Sequence, residues 1–251
     1  MPERPMVPAV ILAAGLGRRI AALTNGGPKA LLELHGRTLL DRSLDALRLA
    51  RFSEVIVVTG HAAERIRPTL AIPLPGMTVT ERWNSEFASA NNIVSMLSVG
   101  DLVGDGFCML NCDITFDPSI LVDLAALDTG NWMVVDGDEL LEAEEMKVRL
   151  DDRRAVTRVS KSIEPSTAVG EFIGISRFDA AGAATLMESA RRLVSDGASH
   201  LYYEDAIDAA ATDLAVSVLW TRNRPWTEID DDADYQRALG VAARLDYAAP
   251  R

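Results

Sequence analysis

The sequence is poor in cysteine and histidine, and it has no long apolar run. Two cysteines and three histidines among 251 residues leave too few ligands for a zinc site and suit a reducing compartment. No apolar run approaches the roughly 18 residues that span a bilayer. The N-terminal MPERPMVP lacks the basic head and apolar region of a signal peptide. We therefore expect a cytoplasmic globular protein.

Positive charge is also scarce. The chain has 25 Lys and Arg against 37 Asp and Glu, for a net charge of −12 and a pI near 4.7. This balance argues against non-specific binding to nucleic acid and against anionic membrane surfaces. It still permits a small anionic substrate, provided that positive charge is concentrated locally or supplied by a divalent metal. The acidic run at 136–152 is interpreted as a solvated face.

Apolar segments alternate between strand and helix spacing, which predicts an α/β fold. A doubly wound, mostly parallel, Rossmann-like sheet with a C-terminal elaboration of β-hairpin and helices is expected. We expect a single domain over 1–251, with a core at 1–140 and a second part at 141–251. Cys108 and Cys112 lie at even spacing on one predicted strand, so we expect buried core thiols. The predicted strands are 7–13, 54–60, 77–82, 106–113, 131–136, 170–178 and 214–221, with a hairpin at 146–161. The predicted helices are 38–50, a short one ending near Pro68, 89–101, 117–127, 180–197, 202–212 and 231–245.

A glycine-rich loop follows the first strand, in VILAAGLGRRIAALTNGGPKALLEL. It lacks the Lys-Ser or Lys-Thr ending of a P-loop and the third glycine of a dinucleotide fingerprint. Gly15 and Gly17 would let backbone N–H groups approach an anion closely. Arg18, Arg19 and Lys29 add the positive charge that the rest of the chain lacks. The loop therefore predicts a phosphate site of another kind.

This stretch resembles the L-A-A-G-x-G-[TS]-R…P-K-x-L signature of the nucleotidyltransferase superfamily that makes nucleotide-activated sugars and alcohols. Arg19 and Lys29 fall on the signature Arg and Lys, whereas Arg18 replaces a small hydroxyl residue. Further segments are similar to the phosphocholine cytidylyltransferase-like branch. They are NSEFASANNIVSML (84–97), NCDITF (111–116), MKV (146–148), SK (160–161), GEFIGISRF (170–178), YYEDAI (202–207) and WTEIDDDADYQRA (226–238).

The resemblance implies Mg²⁺-dependent transfer of a nucleotide from a nucleoside triphosphate, with release of pyrophosphate. Asp113, at the end of a central strand, is the first candidate metal ligand, because magnesium prefers carboxylate oxygens. Glu228 and Asp230 lie two residues apart in an extended segment, so both point to one side. Lys161 and Lys147 on the hairpin are interpreted as phosphate-binding, against a plain reading as surface lysines that pair with acids.

The nucleotide would be CTP, the usual donor in this branch. An amide offers both a donor and an acceptor to a base edge, so Asn91 and Asn92 are candidates, with capping of a helix as the alternative. The full set predicted for the nucleotide is Ala13, Ala14, Gly15, Gly17, Arg18, Asn91, Asn92 and Ser95.

The acceptor would be a small phosphorylated or phosphono compound such as phosphocholine. A quaternary ammonium group favours aromatic rings and a nearby carboxylate. The aromatic candidates are Trp83, Phe87, Trp132, Tyr202, Tyr203, Trp220 and Trp226. The residues predicted for the acceptor are Glu171, Tyr203, Glu204, Asp205 and Trp226, and 141–251 would complete both the acceptor and the metal site.

Two alternatives remain at this stage. The chain could transfer a nucleotide to a sugar-1-phosphate or inositol-1-phosphate, or it could be a regulatory module that binds nucleotides without chemistry. Arg19, Lys29, Asp113, Glu228 and Asp230 together argue against the second alternative, because a binding module has no need of metal carboxylates. The sequence leaves the oligomeric state open.

Overall fold

The computed structural model describes residues 6–127, 129–138 and 140–248. The ends of the predicted single domain, residues 1–5 and 249–251, lie outside the described residues. The strands are β1 (Ala9–Ala13), β2 (Glu33–Leu34), β3 (Arg37–Thr38), β4 (Glu54–Thr59), β5 (Thr78–Trp83), β6 (Gly106–Asn111), β7 (Ile114–Phe116), β8 (Asn131–Asp136), β9 (Lys147–Leu150), β10 (Val156–Ser160), β11 (Gly170–Asp179), β12 (Val216–Trp220) and β13 (Trp226–Glu228). The helices are α1 (Leu39–Leu49), α2 (Ala63–Leu70), α3 (Asn92–Leu97), α4 (Ser119–Ala125), α5 (Ala180–Ser195), α6 (Tyr203–Ala210) and α7 (Asp232–Ala248).

Within the described residues, a nine-stranded sheet forms the centre of the molecule. Strands β6, β1, β4 and β5 are neighbours in that order and run parallel. Strand β11 runs antiparallel to β6, β8 and β9, and β10 runs antiparallel to β9. Within this sheet, β10 and β11 therefore oppose the common direction of the other strands. The α/β fold with a mostly parallel sheet is confirmed, and β9 and β10 form the predicted hairpin.

Two apolar clusters cover the two faces of the sheet, as a doubly wound fold requires. Successive residues of β1 point to opposite faces: Val10 and Leu12 belong to one cluster, and Ala9, Ile11 and Ala13 to the other. Helices α3, α5 and α6 pack on the first face, whereas α1 and α4 pack on the second. A strand buried on both faces reads as a continuous apolar run, which explains the uninterrupted VILA of β1.

Both cysteines lie in the second cluster, as predicted. Cys108 is fully buried and Cys112 is 8% exposed. Burial raises the pKa of Cys108 to about 12. Burial also raises the pKa of Cys112, and the charge of Asp113 adds to that effect. Thiols held in the protonated form are poor nucleophiles and poor metal ligands.

The predicted boundaries hold to within a few residues for most helices, but α3 covers only Asn92–Leu97 of the predicted 89–101, and α2 differs at Pro68. Thr38 caps α1 through a reciprocal pair of hydrogen bonds with Asp41. Helix α2 continues through Pro68 to Leu70, although a proline removes one internal hydrogen bond. Buried Ile66 anchors the preceding turn, and the Ala71 N–H donates to the Arg67 carbonyl beyond the proline. Among the described residues, no helix is both long enough and apolar enough to cross a bilayer.

Candidate active site

The glycine-rich loop closes the carboxyl end of β1. Gly17 has a φ of 55°, a left-handed conformation that glycine adopts without strain. A short 3₁₀ turn at Arg18–Ile20 follows, and a second at Lys29–Leu31 begins after Pro28. The backbone therefore turns back over the strand end and brings Lys29 beside the loop.

A cleft of about 970 Å³ opens at this edge of the sheet. Ligands in doubly wound folds bind at the carboxyl ends of parallel strands, and the cleft lies at the ends of β1 and β6. The predicted site residues that line it are Ala13, Ala14, Gly15, Gly17, Arg18, Arg19, Lys29, Asn91, Asn92, Ser95, Asp113, Lys161, Glu171, Glu204, Trp226, Glu228 and Asp230. Most of the residues predicted from the sequence are thus brought together in one place.

Three carboxylates converge within the cleft. One oxygen from each of Asp113, Glu228 and Asp230 lies within 4.8 Å of the others. The short pairing of β13 with β7 produces this arrangement: Glu228 stands opposite Ile114, and the Ile229 N–H donates to the Asp113 carbonyl at 2.9 Å. Residues that lie more than a hundred positions apart in the chain thereby form one acidic cluster.

Two cations neutralise part of this cluster. The Lys29 ammonium donates to Asp113 Oδ2 at 2.9 Å and to Asp230 Oδ1 at 2.8 Å. Arg19 donates to Asp230 Oδ2 at 2.7 Å. Burial alone would lower the pKa of Lys29, but the charges of Asp113 and Asp230 outweigh it and raise the pKa above its usual value. Burial likewise opposes the charge of Asp230, but Lys29 and Arg19 hold its pKa below the usual range.

The oxygen donors of this cluster fit a divalent cation. Burial, together with the charges of Asp113 and Asp230, raises the pKa of Glu228 well above its ordinary value. Asp113 Oδ1 is buried and has no hydrogen-bond partner among the described residues. A cluster of hard oxygens with one unpartnered atom has the donor chemistry that Mg²⁺ prefers, so the residues present fit that ion.

The asparagines of α3 line the cleft and also connect two helices. Asn91 Oδ1 accepts from the Asn92 N–H at 2.8 Å, and Asn91 Nδ2 donates to the His200 carbonyl at 3.1 Å. Asn92 Oδ1 accepts from the Tyr203 N–H at 2.8 Å. Ser95 Oγ accepts from Asn84 at 3.0 Å. The predicted capping role is present at Asn91, while contact with a nucleotide stays a prediction.

Three predicted site residues do not line the cleft. Lys147 is fully buried, and its ammonium donates to the carbonyls of Glu142, Ala143 and Glu145 at 3.0, 2.8 and 3.1 Å. Tyr203 is fully buried and packs edge-on against Phe172. Asp205 caps α6 by accepting from the Tyr202 N–H at 2.8 Å. The side chains of Lys147, Tyr203 and Asp205 therefore make contacts within the fold, and a contact of any of them with a ligand stays a prediction.

Several residues that were not predicted from the sequence as site residues also line the cleft. The acidic run at 136–152 is not merely a solvated face, because Glu142, Glu144 and Glu145 line the cleft. Asn111 at the end of β6 also lines the cleft. Its position two residues before Asp113 could have indicated this from the sequence. Of the aromatic candidates, Phe87, Tyr202 and Trp226 line the cleft.

A buried aspartate orients one of these rings. Asp136 is 6% exposed and accepts from the Trp226 indole N–H at 2.8 Å. It also accepts from the Thr221 hydroxyl at 2.8 Å. These bonds join the ends of β8 and β12 to β13, the strand that carries Glu228. Asp136 therefore fixes both the indole and the segment that completes the acidic cluster.

Glu204 is a second acid whose environment disfavours its charge. It lines the cleft although it is only 4% exposed, and its Oε2 has no hydrogen-bond partner in the part of the chain that the structure describes. Burial raises the pKa of Glu204 to about 7, from an ordinary value of 4.5, while a hydrogen bond to its own backbone limits the rise. Between the ordinary pKa of 4.5 and the folded-state pKa of about 7, the folded protein therefore holds a proton at Glu204 that the unfolded chain has released.

We expect Glu204→Gln to stabilise the protein at alkaline pH. Between the unfolded and folded pKa values the native state holds the additional proton, so this group's contribution to stability falls as pH rises through that window. The variant removes the cost of the buried charge, so above pH 7 its free energy of unfolding should exceed that of the wild type by up to about 3 kcal/mol. Denaturant unfolding at about pH 5 and pH 8.5 measures the difference.

The control for this prediction is Glu188→Gln, at an exposed acid with 63% side-chain exposure. We expect Glu188→Gln to change stability by less than about 0.5 kcal/mol at either pH. An advantage of Glu204→Gln that is equal at both pH values would contradict the assigned direction of the pKa.

Comparison with known proteins agrees with this geometry. The MobA-like NTP transferase domain matches residues 9–144, which is more than half of the chain. The chain is 28% identical over 257 residues to the CMP-5′-(3-aminopropyl)phosphonate synthase of Streptomyces rubellomurinus, covering 94% of this chain and 39% of that protein. It is 25% identical over 240 residues to the 2-aminoethylphosphonate cytidylyltransferase of Lancefieldella rimae, covering 90% and 89% respectively.

A solved structure supports the same fold. The CTP:phosphocholine cytidylyltransferase of Streptococcus pneumoniae superposes with a TM-score of 0.78 at 22% sequence identity, covering 94% of this chain and 99% of that one. The resemblance predicted from the glycine loop and the closing acidic motif is thus confirmed. The chain belongs to the MobA-like NTP transferase family of nucleotidyltransferases.

Proposed function

We propose that this protein is a Mg²⁺-dependent cytidylyltransferase that uses CTP and a small phosphorylated or phosphono acceptor. An acceptor oxygen would attack the α-phosphorus of CTP, the bond to the β-phosphate oxygen would break, and pyrophosphate would leave. The observation that carries the proposal is the convergence of Asp113, Glu228 and Asp230 with Lys29 and Arg19 beside a glycine loop. The choice of CTP is supported by the cytidylyltransferases among its relatives.

Each group in the cleft has a chemical task in this reaction. Two anions must approach each other, so the barrier is largely electrostatic and positional. Backbone N–H groups of the glycine loop, with Arg19 and Lys29, would hold the triphosphate. Mg²⁺ held by Asp113, Glu228 and Asp230 would neutralise phosphate oxygens. Lys161, which lines the same cleft, would bind the acceptor phosphate or phosphonate.

The acceptor is proposed to carry a cationic group. Beyond the metal carboxylates, the cleft is lined by Glu142, Glu144, Glu145, Glu171 and Glu204. So many acids would repel an acceptor that is purely anionic, whereas an ammonium group would gain from them. Tyr202 and Trp226 offer ring faces for such a group. An aminophosphonate or phosphocholine carries both groups: a phosphonate or phosphate for Lys161, and an ammonium for the acids and aromatic rings.

A pyrophosphate-release matrix tests this proposal. CTP, UTP, ATP and GTP are each combined with phosphocholine, phosphoethanolamine, 2-aminoethylphosphonate, 3-aminopropylphosphonate, inositol-1-phosphate and glucose-1-phosphate. We expect release with CTP and the acceptors that carry a cation. Release confined to sugar or inositol phosphates would overturn the proposed acceptor class, and no release with any pair would overturn the proposed activity.

The neighbouring residues Tyr202 and Tyr203 give a matched test of which ring contacts the acceptor. Tyr202 is 40% exposed and its ring lies 5.7 Å from Lys161 Nζ, whereas Tyr203 is fully buried. We expect Tyr202→Ala to raise the acceptor KM roughly threefold to tenfold, because a cation–π contact at a partly exposed ring contributes about 0.7–1.4 kcal/mol. Tyr203→Phe, which keeps the packing ring, should leave that KM within about twofold. The opposite ranking in steady-state kinetics would return the acceptor contact to Tyr203.

A further inference from the structure

Lys29 binds the same carboxylates that the proposed metal would use. Its ammonium bridges Asp113 Oδ2 and Asp230 Oδ1, and the side chain is only 12% exposed. Arg19 binds the remaining oxygen of Asp230, and its side chain is 68% exposed. Lys29 is therefore the buried cation of the acidic cluster, whereas Arg19 contacts the cluster from the solvent side.

An ammonium and a divalent cation compete for such oxygens. Both are positive, so they repel when they share two carboxylates in a partly buried site. The hydrogen bonds of Lys29 also occupy lone pairs that a metal would need. A metal that binds the free Asp113 Oδ1 and Asp230 lies beside the Lys29 ammonium. The repulsion weakens binding of the metal by itself and favours displacement of Lys29.

A displaced Lys29 needs another anion, because an unpaired ammonium in a buried setting is costly. Its stem runs beside the glycine loop: a Cβ placed on Gly17 would lie 3.7 Å from Lys29 Cβ. The lysine side chain is long and flexible, so phosphates held by the loop would be within its reach.

We propose that Lys29 is an exchangeable counter-ion that couples metal binding to nucleotide binding. The metal would take the carboxylates, and Lys29 would transfer to the triphosphate. Each ligand then removes a cost from the binding of the other, and by linkage the coupling is reciprocal. The inference rests on the metal and nucleotide sites of the proposed function, and it adds the cooperativity of their occupation.

Binding of Mn²⁺ to the protein without nucleotide tests this inference. Free Mn²⁺ is followed by electron paramagnetic resonance at constant pH and ionic strength for the wild type, Lys29→Met and Lys161→Met. We expect Lys29→Met to bind Mn²⁺ at least about tenfold more tightly than the wild type, because an adjacent positive charge is removed from a shielded site. Lys161→Met removes a cleft lysine that makes no ion pair with these carboxylates, and its affinity should stay within about twofold.

A second measurement follows the coupling. We expect Mg²⁺ to raise the affinity of the wild type for CTP by about tenfold or more in calorimetry, and Lys29→Met to lose most of that increase. Thermal unfolding in EDTA and in Mn²⁺ verifies that Lys29→Met is folded, and Lys29→Gln replaces it if it is not. We also expect Mn²⁺ to raise the Tm of the variant more than that of the wild type.

The outcomes separate the inference from the proposed function. Equal or weaker Mn²⁺ binding by Lys29→Met, at a site that Asp113→Asn abolishes, would overturn the counter-ion role while the metal site stands. Absence of Mn²⁺ binding in both wild type and Lys29→Met would overturn the metal site, and with it the proposed function.

Discussion

Asp113→Asn is expected to reduce kcat for pyrophosphate release by roughly three orders of magnitude, in the range typical for removal of a key electrostatic group. The substitution keeps the size of the side chain but removes its charge from the cluster with Glu228 and Asp230. It also removes a partner of Lys29. Because these groups act as one electrostatic unit, the loss should appear mainly in kcat, measured under saturating CTP and acceptor.

Asp117→Asn is the matched control for Asp113→Asn. Asp117 lies four residues further along the chain and accepts from the Ser119 N–H at 2.9 Å as α4 begins. Asparagine caps helices about as well as aspartate, so we expect activity within about twofold of the wild type. Nucleotide binding measured in EDTA should survive Asp113→Asn. A kcat within tenfold of the wild type for Asp113→Asn would refute the assignment of Asp113 to the metal.

Lys147→Met is expected to raise the acceptor KM by at least about tenfold, while the KM for CTP changes less than about threefold. The buried ammonium of Lys147 holds three carbonyls of the loop that carries Glu142, Glu144 and Glu145 into the cleft. Charge-assisted hydrogen bonds contribute about 1.5–3 kcal/mol each, so their loss should release the loop. Steady-state kinetics with each substrate varied in turn gives the two KM values.

Arg149→Met is the control for Lys147→Met on the same strand. Its guanidinium contacts the Thr167 hydroxyl at 3.1 Å outside the cleft, so both KM values should be close to those of the wild type. Limited proteolysis should cut residues 140–146 faster in Lys147→Met than in Arg149→Met. A raised KM for CTP with an unchanged acceptor KM would instead support the phosphate-binding role that the sequence suggested for Lys147.

Local signals were readable without a structure. The helix start at Thr38 depends on side-chain bonds within three residues, and both bonds are present. The turn at Gly17 requires a positive φ that glycine supplies. The strand run of β1 is apolar because both of its faces are covered. These features depend on neighbours in the chain, which is why pattern and residue type predict them.

The direction of side chains near a helix start could not be predicted from local patterns. Tyr202 and Tyr203 are adjacent, and both matched a family segment, yet one lines the cleft and the other packs in the core. Successive residues at a helix start point about 100° apart. The position of α6 against α3 and α5 decides which ring reaches the cleft, and that position depends on packing among distant segments.

The sequence by itself determined the α/β class, the family signature of the glycine loop, and the candidate acids Asp113, Glu228 and Asp230. The tertiary structure decided which of these groups meet. The pairing of β13 with β7 brings the acids together, and Lys29 reaches them from the glycine loop. The structure also shows that Lys147 binds carbonyls of residues 142–145, and that acids of the same segment line the cleft. These outcomes depend on long-range packing and on where a buried charge finds its partners, and no local pattern encodes either.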